Sequence, residues 1–124
     1  MSRVLRPAVA LPGFPEATTL NLEPVEGAMG LYSVTSAQAP HLRWFVLDAS
    51  VHLPDYAPQF TADQLALLGN PDADSRSLLV VVNTSDSQVS ANLLAPLLLH
   101  TQTGSCVQLI LEGQEWPLRF ELAL

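Results

Sequence analysis

The sequence predicts a mainly β fold: a small antiparallel, β-barrel-like single domain over residues 1–124, with about seven strands and one short helix near residues 61–69. Three observations carry that prediction. Hydrophobic residues make up 48% of a 124-residue chain, enough to build a packed core. Ten prolines cut the chain into short pieces, and the apolar runs between them have strand length and are mostly rich in β-formers. A single stretch carries helical punctuation instead.

In chain order the strand-length runs are "RVLRPAVAL", "MGLYSVTSA", "LRWFVLDAS", "SLLVVVNTS", "APLLLHTQ", "CVQLILEG" and "PLRFELAL". Within "LRWFVLD", alternation puts Leu42, Trp44 and Val46 on one face and Arg43, Phe45 and Leu47 on the other. Both faces are apolar-bearing, which suits a strand covered on both sides in a barrel or sandwich. The exception is "FTADQLALLGNPDAD". Thr61 is a candidate N-cap, and Gln64 three residues later completes a capping box. Leu65, Leu67 and Leu68 give an apolar face, and Gly69 with Asn70 and Pro71 ends the helix after about two turns.

One segment resists simple assignment. "VSANLLAPLLLHTQTG" (residues 89–104) is strongly aliphatic but holds Asn92 and Pro96. A buried Asn must be hydrogen-bonded, most simply to backbone at a bend. Proline cannot donate to a β ladder, so it starts a strand or marks an edge. The segment therefore reads as a bend followed by a strand from Pro96. An unpaired edge there would accept a partner segment.

Charge and chemistry narrow the function class. The net charge is −7, with five basic residues, all arginine, against twelve acidic ones. Such a chain repels phosphate backbones, so no direct nucleic-acid binding is expected. The acidity suits either encounter with a basic protein or solubility alone. No apolar run approaches the roughly 20 residues of a membrane span. The N-terminal stretch is broken by Pro7 and Pro12 and lacks a continuous apolar core, so no signal peptide is expected. Cys106 is the sole cysteine, which excludes an internal disulfide and fits a reducing, cytoplasmic location. It lies in an apolar run and reads as a small buried hydrophobe. His41, His52 and His100 lack metal-ligand spacing. No nucleophile elbow or phosphate loop is present. No cofactor is expected, and an interaction protein outranks an enzyme. The alternative is a small-ligand-binding β-barrel or an enzyme with a non-local site. A deep pocket lined by His41, His52 or His100 would favour it, whereas a side-chain-filled interior would favour a binding module.

Four stretches occur in an order and spacing that resemble a known family: "ALPGFPEA", "WFVLDASVHLPDY", "VSANLLAPLLLHTQTG" and "CVQLILEGQEWPLR". Together they are similar to the flagellar assembly factor FliW family, whose members read P-G-F, then V-D-P and P-D-Y, then T-A-N-L-x-A-P, and finally Q-V-[IV]-L with E-Y-P-x-R. The resemblance covers nearly the whole chain. It departs at Ser50 (proline in the family), at "LYS" of Leu31–Ser33, at His100 (asparagine), at Trp116 (tyrosine) and at Phe120 (histidine). Many members also carry another strand before P-G-F, which implies a changed sheet edge here. The resemblance implies a cytoplasmic chaperone that binds flagellin, through its C-terminal helix, and also binds the translational regulator CsrA.

The candidate partner-binding residues are Pro12, Phe14, Asp55, Tyr56, Asn92, Pro96, Trp116 and Arg119. Pro12, Gly13 and Phe14 form a turn with an aromatic plug, read equally as core or as contact. Tyr56 is an interface-enriched type, and Asp55 would meet a basic partner or satisfy a turn. Trp116 and Arg119 read as interface anchors or as caps over a barrel end.

Overall fold

The computed structural model describes residues 3–11, 15–41, 43–85 and 87–122. Among these, the strands are β1 (Arg3–Pro7), β2 (Leu20–Pro24), β3 (Leu31–Ser36), β4 (Arg43–Asp48), β5 (Arg76–Ser85), β6 (Gln88–Ala91), β7 (Leu97–His100), β8 (Ser105–Gln108) and β9 (Phe120–Glu121). Seven of them close a ring, β1-β2-β3-β4-β5-β7-β8, with β8 returning to β1. The predicted barrel is therefore present. Six junctions are antiparallel, and β1 with β8 is parallel, Arg6 standing opposite Ser105. Because β1 is paired on both sides, the ring has no open edge at its first strand.

Alternation explains how the strands are covered twice. In β5, Leu79 and Val81 point into the barrel, where they join Leu5, Leu20, Val34 and Leu97. Leu78 points out to one cluster, and Val80 and Val82 point out to another. This period of two is what the unbroken aliphatic run of β5 encodes. Side chains fill the middle of the interior, as expected for a ring of this size.

Two short α-helices lie outside the barrel among the described residues, besides a 3-10 turn at Ala73–Ser75. α2 (Ala62–Ala66) has the predicted capping box: Gln64 N donates to Thr61 Oγ1 at 3.1 Å, and Thr61 N donates to Gln64 Oε1 at 2.9 Å. Gly69 takes φ +77°, and Asn70 N reaches back to the Leu65 carbonyl at 3.0 Å, closing the helix as its sequence signals. Phe60, Leu65 and Leu68 pack over Leu98 and Val107. α1 (Ala49–His52) is a single turn that the β pattern of "LRWFVLDAS" hid. Asp48 creates it, since its Oδ1 accepts from Ser50 N at 2.9 Å and from Ser50 Oγ at 2.7 Å.

The parallel junction needs a close backbone approach. Gly104 has φ +82°, and a Cβ there would lie 2.9 Å from the Val4 carbonyl oxygen. Arg6 N donates to the Gly104 carbonyl at 2.9 Å, so the two segments cannot separate without loss. Gly27 has nearly the same φ, +81°, but a Cβ at that position would meet nothing within 4 Å. Gly27→Ala is expected to cost about 1 kcal/mol for the backbone conformation alone. Gly104→Ala is expected to cost roughly 1–3 kcal/mol more, because contact adds to conformation. Urea denaturation midpoints of the two variants check this, and equal midpoints would contradict it.

A candidate protein-binding groove

The aliphatic segment with Asn92 and Pro96 builds this site. β6 and β7 together run along one edge of β5. Leu79 stands opposite Leu97, and Val82 opposite Ala91, so three steps on β5 match six on the other arm and three residues are extra. The excess is absorbed at residues 92–96 as an enlarged bulge. Asn92 N still donates to the Val81 carbonyl at 2.9 Å. Its side-chain Oδ1 accepts from both Leu94 N and Ala95 N, each at 3.1 Å. Asn92 therefore satisfies the backbone at the bend, as its type and setting predict.

Pro96 precedes a strand, as its type predicts, but the expected unpaired edge is not there. The Pro96 side chain is fully buried. The strand it opens, β7, is paired on both sides by β5 and β8, so no free edge is offered there. The reason lies in the bulge. The missing N–H of Pro96 falls where the ladder is already interrupted, while its carbonyl accepts from Leu109 N at 3.0 Å.

The bulge turns Leu93 toward two distant segments. Leu93 N donates to the Pro117 carbonyl at 3.1 Å. The Leu93 carbonyl accepts from the Tyr56 hydroxyl at 2.5 Å. Tyr56 and Trp116 meet edge to face, with ring centroids 4.7 Å apart and planes at 88°. Gln114 secures that pair. Its Oε1 accepts from Trp116 Nε1 at 3.0 Å and from Gln59 N at 3.0 Å, and its Nε2 donates to the Gln59 carbonyl at 2.8 Å. Burial pushes the Tyr56 hydroxyl well above the usual phenol range, so it stays a donor.

Over this base lies an apolar groove of about 260 Å³, bordered by Leu53, Tyr56, Leu93, Trp116 and Phe120, with His52 and Asp55 at its polar side. Phe120 is 41% exposed and Leu118 57% exposed, so apolar surface continues beyond it. The structure thus brings together Asp55, Tyr56 and Trp116 from the predicted set, whereas Asn92 lines the barrel cavity and reaches the groove only through the bulge that carries Leu93. Arg119 sits apart, on a polar depression with Asn83, Gln88 and Glu121. Trp116 covers the outer face and not a barrel end. Pro12 and Phe14 lie outside the described residues.

Sequence reasoning missed Leu93, Gln114 and Phe120, and it named His52 only as a possible lining of a deep ligand pocket, whereas His52 borders this groove. His52 Nε2 donates to the Met29 carbonyl at 2.7 Å, and Gly30 next to it leaves room that a Cβ would take, 2.9 Å from that nitrogen. The local signal for Gln114 was its place two residues before Trp116; its link to Gln59 is non-local.

The alternative function class made a test that the barrel answers in part. Cavities open at the two ends of the interior, about 360 Å³ beside Trp44 and Asn92 and about 330 Å³ beside Tyr32 and Asp48. None of their described lining residues is a histidine. Among the described residues, no group of three His, Cys, Asp or Glu could hold a metal ion. Cys106 is buried in the barrel, and burial pushes its thiol up to about 12. No helix among the described residues is long and apolar enough to cross a membrane.

The geometry separates two roles for Tyr56. Tyr56→Phe keeps the ring against Trp116 and leaves the Leu93 carbonyl without its donor. We expect a stability loss of about 1–2 kcal/mol with the groove intact. Thermal unfolding together with near-ultraviolet circular dichroism of Trp116 checks this, and an unchanged midpoint would contradict it.

Comparison with known proteins places this architecture. The family model described as FliW protein matches residues 2–122. The flagellar assembly factor FliW of Heliobacterium modesticaldum is 25% identical over 121 residues, covering 96% of this chain and 79% of that protein. The flagellar assembly factor FliW of Syntrophotalea carbinolica is 31% identical over 93 residues, covering 74% of this chain and 66% of that protein. A crystal structure of the flagellar assembly factor FliW matches with a TM-score of 0.87 at 21% identity, over 95% of this chain and 84% of that one, and so shares the fold. With its motifs, its closed seven-strand ring and a family match over nearly its whole length, the chain belongs to the FliW family of flagellar assembly factors.

Proposed function

We propose that this chain is a cytoplasmic, non-enzymatic chaperone that binds flagellin and, when free of it, binds CsrA and relieves repression of flagellin translation. The observation that carries the reading is family membership over residues 2–122. The groove at Tyr56, Leu93, Trp116 and Phe120 supports it. An amphipathic helix lays one apolar face into such a groove, and flagellin termini are helices of that kind. Aromatic anchors with a satisfied polar base are also what interface hot spots require. The net charge of −7 supports encounter with a basic regulator.

The test is a titration of the purified chain with its cognate flagellin carrying an intact C-terminal helix, followed by competition with CsrA. A stable complex is expected, with CsrA displaced as flagellin is added. Trp116→Ala is expected to weaken flagellin binding by roughly tenfold or more, as truncated aromatic anchors do. No complex with a folded wild-type chain would contradict the reading.

A further inference from the structure

Arg76 opens β5 and stands opposite His100 of β7. Its Nε is buried and has no hydrogen-bond partner. A buried, unsatisfied donor costs roughly 1–3 kcal/mol, so a native arrangement that keeps one calls for a reason. The side chain borders a cavity of about 420 Å³, together with Ser50, Ser77, Leu53, Pro54 and Tyr56. Leu53, Pro54 and Tyr56 also border the apolar groove, so the two depressions share a wall. The carboxylate of Asp48 lies on the same cavity, but its Oδ1 is already taken by Ser50 N and Ser50 Oγ.

We propose that Arg76 receives a carboxylate of the partner helix whose apolar face sits in the Tyr56–Trp116 groove. The inference rests on the flagellin-binding reading and names the polar contact that sets its register. A guanidinium offers five donors in a planar fork that matches a carboxylate in pairs, and Arg76 lines this cavity while its buried Nε has no partner within the chain. The Ser50 and Ser77 hydroxyls border the same space and add donors. Charge argues for this occupant. In a chain with twelve acidic and five basic residues, an incoming carboxylate is repelled almost everywhere. A cation beside an apolar groove therefore selects a helix with an acidic residue about one turn from its apolar anchor. Aromatic anchoring then supplies affinity, and the ion pair supplies register and orientation.

The experiment titrates the full chain and its Arg76→Met, Arg76→Lys and Trp116→Ala variants with cognate flagellin. In parallel, each Asp or Glu of the flagellin C-terminal helix is changed to its amide. Arg76→Met is expected to weaken binding roughly tenfold or more. Arg76→Lys is expected to recover part of the loss, because it keeps the charge and loses the fork. One flagellin amide variant is expected to match the Arg76→Met loss and to have no further effect on it, as coupled groups behave. If Trp116→Ala weakens binding while Arg76→Met and every amide variant bind as wild type, the inference is overturned and the flagellin reading stands. If the folded wild-type chain binds no flagellin, both fall. Should Arg76→Met fail to fold by thermal melt, the amide variants against wild type decide alone, and uniform affinity overturns the proposal. Arg76-dependent self-association in place of flagellin coupling also overturns it, in favour of a second copy.

Discussion

The side chain of Asn92 holds together the two halves of this molecule. Its Oδ1 accepts from Leu94 N and Ala95 N, and those two bonds stabilise three surplus residues in the arm that pairs with β5. Below the bulge, β7 turns its free edge to β8 and completes the ring. Above it, β6 turns its free edge to β9. One strand edge is thereby divided between a closed barrel and a small outlying ribbon. Without the slip, the aliphatic side chains of β6 and β7 would follow a single alternation, and the two ends of the arm could not serve different clusters.

The groove is a consequence of that fork. Leu93 lies in the bulge, so its backbone groups are free of the β5 ladder. They are used instead to bind the Pro117 carbonyl and the Tyr56 hydroxyl. Tyr56 and Trp116 come from segments far apart in the chain and meet only because the bulge offers both a partner. Gln114 then closes the set by holding the indole and the backbone of Gln59. The apolar surface thus rests on a polar network with each named group satisfied, which favours one rigid geometry over a soft patch. Arg76 is the exception at the border of this surface, and its unmet donor is the reason to look for a partner there.

Much of the fold was legible in the sequence. The aliphatic run "SLLVVVNTS" announced a strand where β5 lies, and Thr61 with Gln64 announced the start of α2. β2 and β6 were not separated out, since "LNLEP" buries only Leu20 and Leu22 and "QVSA" buries only Ala91. Such short, half-polar strands owe their form to their neighbours in the sheet more than to their own residues. The parallel β1–β8 junction was also invisible, because it depends on a single glycine meeting a backbone oxygen at the other end of the chain. For the site, residue type pointed to Tyr56, Trp116 and Asn92, but their meeting is a product of ring closure. Pro96 announced the start of β7, but its edge reading failed for a local reason: a proline is tolerated at an edge or in a bulge, and residue type alone does not tell the two apart.

The most direct measurement is amide hydrogen exchange in the wild-type chain and in Asn92→Ala. The variant removes one acceptor for two backbone donors, at an expected cost of roughly 1–3 kcal/mol. We predict that the amides of Leu94 and Ala95 lose protection, and that those of Leu93 and of β6 follow, while β2 and β3 keep theirs. Unchanged protection at Leu93, Leu94 and Ala95 would show that the bulge stands without the Asn92 side chain, and would contradict its central place.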